Sequence, residues 1–86
     1  MSDSSEGLHV IVRTKDLALT YCFGGLCIWA QRAAGADGKV NYARPRRVEP
    51  DTDEVTCFFR SLDEKRRFLD AARRLFPSGM WELVEV

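Results

Sequence analysis

Apolar residues recur along this chain in two rhythms, one of period two and one of period 3.6, arranged in alternating blocks. Leu8-His9-Val10-Ile11-Val12-Arg13 is compact and β-branched, which predicts a first strand. Its alternation puts Leu8, Val10 and Val12 on one face and His9, Ile11 and Arg13 on the other. Glu54 to Arg60 repeats the pattern, with Val55, Cys57 and Phe59 on one side and Thr56, Phe58 and Arg60 on the other. From Ser61 the period changes. Leu62, Phe68, Leu69, Ala72, Leu75 and Phe76 make one helical stripe. Ser61 and Glu64 form a capping box at its start, and Pro77-Ser78-Gly79 stops it. Trp81 to Val86 then reads as a closing strand.

Asp16 to Ala34 supports two readings. Asp16 is an N-cap candidate, and Gly35 follows Ala34 as a helix stop. Between them, Gly24-Gly25 costs a helix about 2 kcal/mol relative to two alanines. One reading is a single helix from Leu17 to Ala34, in which the glycines allow close approach to the sheet or to a partner. The other takes the alternation of Leu17, Leu19, Tyr21 and Phe23 as a strand, hairpinned to the first through Thr14-Lys15-Asp16, with a shorter helix after the glycines. The single helix is preferred.

Ala36-Asp37-Gly38 reads as a turn. Lys39 to Arg44 reads as a short strand with Val40 and Tyr42 on one face, ended by Pro45. Arg46 to Asp53 reads as a polar loop. The predicted order is β-α-β-β-α-β, with both helices on one face of a four-stranded antiparallel sheet. That is the ferredoxin-like α+β arrangement. The alternative adds an N-terminal β-hairpin at 8–23. Residues 1–7 are small and polar and predict a flexible tail before a single domain at 8–86.

The chain's 86 residues allow one domain with one sheet and one helical layer. Thirteen basic and thirteen acidic side chains cancel, which leaves no global field to draw in nucleic acid or membrane. No apolar run is long enough to span a bilayer. Cys22, Cys27 and Cys57 are odd in number and sit among apolar neighbours, which predicts reduced thiols and a cytoplasmic protein.

Catalytic and metal chemistry finds little footing. His9 is the single histidine and lies in a strand. A Cys3His zinc set from Cys22, Cys27, Cys57 and His9 lacks turn-rich knuckles. The carboxylates Glu49, Asp51, Asp53 and Glu54 lack an EF-hand pattern and read as a solvated loop, or as one that pairs with Arg44, Arg46 and Arg47. Gly24-Gly25 is no phosphate loop. The expectation is a non-enzymatic domain without metal or cofactor.

What remains is binding. Helices on one face leave the other sheet face open, carrying Ile11, Arg13, Phe58 and Arg60. An Ile and a Phe flanked by Arg predict a contact with another protein, or a homodimer through the sheet. A second candidate is an Arg surface made by Arg44, Arg46 and Arg47 with Arg66 and Arg67 of the second helix. A small domain of this style suits a regulator, adaptor or inhibitor, of the kind phages and mobile elements encode. The strand Glu54 to Arg60 loosely resembles the end of the RNP1 element of RNA recognition motif domains. Those domains share this element order and stack bases on aromatics of their first and third strands. The family's basic-Gly-aromatic opening is replaced by Asp53-Glu54-Val55, and the first strand offers His9 and Ile11 where an aromatic is expected. The resemblance implies single-stranded nucleic-acid binding as the alternative function.

Overall fold

A computed structural model describes residues 8–35 and 38–86. The tail expected at 1–7 and the first two residues of the turn expected at 36–38 lie outside them. The order is β1 (His9–Thr14), α1 (Leu17–Ala33), β2 (Arg44–Glu49), β3 (Thr52–Phe58), α2 (Leu62–Leu75), a 3-10 turn (Ser78–Met80) and β4 (Trp81–Glu85). The strands form one antiparallel sheet in the order β2-β3-β1-β4, and both helices pack on one face of it. The fold is the ferredoxin-like α+β sandwich.

Each element starts for a local reason. The Asp16 carboxylate accepts from the Ala18 and Leu19 amides at 2.8 and 3.4 Å, which fixes the start of α1. Gly35 ends the helix at φ +97°, a conformation that a side chain would oppose. Ser61 Oγ accepts from the Glu64 amide at 3.2 Å, and Glu64 Oε1 reaches back to the Arg60 amide at 2.7 Å. This capping box therefore satisfies a donor one residue before the cap. α1 is one helix through Gly24-Gly25, so the hairpin at 8–23 does not form.

The core lies between sheet and helices. Val10 and Val12 of β1 and Val55 and Cys57 of β3 meet Phe23, Leu26, Cys27 and Ala30 of α1 and Phe68 and Ala72 of α2. Phe23 is its hub, with ring centroids 5.0 Å from Phe76 and 5.3 Å from Trp81, both edge-on. Leu62 and Leu75, expected in the apolar stripe of α2, lie at its two ends and are exposed, while Ala71 is buried.

The second strand differs from its prediction. Residues 39–43 form no strand, and β2 is Arg44-Pro45-Arg46-Arg47-Val48-Glu49, which begins on the last residue of the expected strand, runs through Pro45 and takes in the first four residues of the expected loop. Two bonds replace the expected pairing around Asn41: its carbonyl accepts from Gln31 Nε2, and its amide donates to Gln31 Oε1, each at 2.7 Å. Pro45 is tolerated because β2 is an edge strand.

Candidate functional site

Strand register decides what the open sheet face carries. Residues paired across strands share a face, so Arg46, Glu54, Arg13 and Glu82 form one row across all four strands. Arg44, Thr56, Ile11 and Glu85 form the next, and Phe58 stands beside His9 beyond them. Ile11, Arg13 and Phe58 thus lie together as expected. Their surroundings are more polar than the alternation alone conveyed.

Glu54 takes two cations at once, Arg13 Nε at 3.0 Å and Arg46 Nη2 at 3.3 Å, and its side chain is 12 % exposed between them. His9 Nε2 lies 3.0 Å from Glu85 Oε2. The Arg44 guanidinium sits 5.6 Å from the centroid of the Phe58 ring, a cation–π contact that leaves the ring 39 % exposed. Glu54 and Glu85 are thus paired within the chain, and the apolar side chains of these rows are Phe58 and a half-buried Ile11.

Arg60 stands apart from this face. It follows the end of β3, and its guanidinium reaches Glu64 of α2 at 3.4 Å and the Lys39 carbonyl at 3.3 Å.

The expected Arg surface divides into separate sites. Arg44 and Arg46 lie on the open sheet face. Arg47 falls on the opposite face of β2, where Nε donates to Asp53 Oδ1 at 2.6 Å and Nη1 to the Pro50 carbonyl at 2.9 Å. Asp53 also accepts from the Thr20 hydroxyl of α1 at 3.2 Å. The bond from Arg47 holds the Asp53 carboxyl below its usual range; burial opposes it, and the Thr20 hydroxyl adds a smaller lowering. Arg66 and Arg67 are on α2, where Arg67 pairs with Asp63 at 3.1 Å. Arg74 lies 3.7 Å from Asp70 on the same helix. These are solvated intrahelical pairs.

The cysteines and His9 do not converge. Cys22 is exposed on α1, whereas Cys27 and Cys57 are buried against each other between α1 and β3. Cys57 is pushed far above the ordinary thiol range by its hydrogen bond to Cys27, with burial adding to it. Cys57 is therefore a protonated core thiol. At one end of the sheet an open groove of about 710 Å³ is lined by Arg13, Lys15, Asp16, Glu49, Trp81 and Glu82 among others. Arg13 is bonded to Glu54, Lys15 lies 3.9 Å from Asp51, and the Asp16 carboxylate caps α1. No one charge sign dominates the groove.

The outer face of α1 was not foreseen as a site. Among the 17 residues of this helix, Arg32 alone carries a charge. An amphipathic surface helix presents charged residues to water. Here Leu17 is 56 %, Tyr21 73 % and Trp29 46 % exposed. Ala18, Cys22 and Gly25 are exposed on the same side. The glycine pair has no packing role among the described residues, because a Cβ at Gly24 or Gly25 would meet nothing within 4 Å there. The available signal was an α1 sequence too apolar for a helix with a water-facing side.

No family model, no curated protein and no solved structure matches this chain. Among the described residues, no helix is long and apolar enough to cross a membrane.

Proposed function

We propose that this domain is a non-enzymatic protein-interaction module, acting as a regulator, adaptor or inhibitor, and that it binds through the outer face of α1. One observation carries the reading: an exposed helical face bearing Leu17, Tyr21 and Trp29 surrounds two glycines that weaken the helix and relieve no contact among the described residues. Exposed aromatics of this kind are the usual energetic anchors of protein interfaces. A backbone left bare beside them admits close approach by a partner. Three free thiols suit a reducing, cytoplasmic setting.

The open sheet face supports a second reading, contact through Phe58 and Ile11 with single-stranded nucleic acid or with a protein. Its specific support is the Phe58 ring beneath Arg44. Arg13 and Arg46 of the same face are already held by Glu54, and Glu82 and Glu85 add carboxylates that oppose a phosphate backbone, so the helix face is preferred.

The test is a pull-down with wild-type, Tyr21→Glu/Trp29→Glu and Arg44→Glu/Phe58→Glu baits, with and without nuclease. Loss of a nuclease-resistant partner from the α1 variant alone supports the proposal. Loss from the sheet variant alone, or on nuclease treatment, moves the function to the sheet face.

A further inference from the structure

The open sheet face ends in opposite charges at its two edges. β2 and β4 are the outermost strands, and among the described residues neither pairs with a further strand. The row Arg46, Glu54, Arg13, Glu82 alternates in sign across the sheet, basic at the β2 edge and acidic at the β4 edge. The next row agrees, with Arg44 at the β2 edge and Glu85 at the β4 edge. Arg46 stays 73 % exposed beside Glu54, and Arg44, Glu82 and Glu85 are exposed as well. An outermost strand presents unpaired backbone donors and acceptors, so each edge is a template for one more strand.

We infer that the β4 edge takes the β2 edge of a second copy of this chain, head to tail, so that one sheet continues through successive copies. Strand direction permits it. β2 runs parallel to β1 and β4 runs antiparallel to it, so β2 of the next copy meets β4 antiparallel with both open faces on the same side. Carrying the rows across the joint sets Arg46 of the next copy opposite Glu82. The same register brings Arg44 of that copy to the level of Val84 and Glu85, where the β4 ladder is irregular. Opposite charges directly across a strand pair stabilise it. On the helix side, Pro45 of the next copy comes against Leu83 and Arg47 against Trp81, two side chains that are only half-buried within one chain. The first is an apolar contact, and the second sets a cation beside an indole.

Charge disfavours the two-fold alternatives. β4 against β4 would gather Glu82 and Glu85 of both copies on one face. β2 against β2 would gather the arginines in the same way, and like charges across strands oppose pairing. Joining unlike edges leaves a free β2 and a free β4 at the ends of every assembly, so growth passes the dimer unless the sheet twist closes it into a ring. Pro45 and the charged side chains blunt the β2 edge, so the association is weak and depends on concentration. The joint uses no residue of α1, so it stands or falls apart from the contact face proposed there.

Sedimentation velocity of the full chain, from micromolar to millimolar concentration and at low and high salt, tests this. At low salt the mass should rise from 9.8 kDa beyond twice that value, and high salt should return it towards the monomer because the paired charges are exposed. Glu82→Lys/Glu85→Lys and Arg44→Glu/Arg46→Glu should each stay monomeric, since each variant makes its two edges alike in charge. An equimolar mixture of the two should assemble again, because every β4 edge then finds a β2 edge of opposite sign. Native circular dichroism establishes that each variant is folded. Glu54 keeps Arg13 in the arginine variant, and Arg44→Glu alone replaces that variant if it does not fold.

A wild-type chain that stays monomeric throughout would overturn the inference. So would a dimer that does not grow, an association that high salt strengthens, or a mixture of folded variants that stays monomeric. Association that survives both charge variants and is lost in Trp29→Glu would overturn it too, and would put the self-contact on α1.

Discussion

Gln31 and Asn41 exchange two hydrogen bonds of 2.7 Å, the Gln31 side chain serving the Asn41 amide and carbonyl as a neighbouring strand would. Gln31 is fully buried, and its Nε2 also reaches the Cys27 carbonyl at 3.1 Å. One side chain on α1 thereby anchors the segment that leads into β2.

Gln31→Leu keeps the volume and removes the two short bonds to the Asn41 backbone, leaving its amide unpartnered and its carbonyl with only a 3.7 Å contact from the Cys27 thiol. Leaving those groups unsatisfied should lower unfolding stability by about 2 kcal/mol. Asn41→Ala keeps the backbone bonds and should cost far less. Urea denaturation of the two variants checks the contrast.

Asp53 makes stability depend on acid. Its folded pKa lies below the ordinary 3.8, first because Arg47 donates to it and then because Thr20 does. A depressed carboxylate contributes fully above its unfolded pKa, and the contribution is lost as pH falls through the folded value. Thermal stability should therefore fall below about pH 4, and Asp53→Asn should remove part of that fall. Melting curves of wild type and variant from pH 7 downward measure it.

The three thiols should separate by reactivity. Cys22 is exposed, whereas Cys27 and Cys57 are buried. A colorimetric thiol reagent should modify one cysteine per chain quickly in the native protein and all three in denaturant. Cys22→Ser should abolish the fast phase.

Gly24→Ala should raise the stability of the isolated fold by about 1 kcal/mol, because alanine favours the helix and its methyl meets nothing within 4 Å. A loss of stability would show an internal role for this glycine. Chemical denaturation at low concentration, where association does not contribute, is the suitable measurement.

Where side-chain periodicity governs an element, the sequence reads well. β1, β3 and β4 alternate between core and open face, and Ser61 marks the start of α2. The length of α1 was legible too, since seven buried positions hold it to the core despite the glycines. β2 was not legible, because no apolar alternation builds it. Its register comes from cross-strand partners such as Arg46 with Glu54 and Arg47 with Asp53, and an Arg-Pro-Arg-Arg strand looks like a loop. Val40 and Tyr42 carried the stronger β pattern, but Gln31 occupies the backbone of Asn41 between them. The same preference for alternation drew attention to Phe58 and Ile11, although a helix apolar on its outer side was plain in the composition of α1.

A photoreactive benzoylphenylalanine placed at Trp29, in the full chain expressed in its own cell, tests the contact face most directly. The same residue placed at Phe58 is the control. Irradiation should give a protein adduct from position 29, either with a second copy or with another chain, and little from position 58. Adducts from position 58 alone would contradict a role for the outer face of α1 and return the function to the sheet.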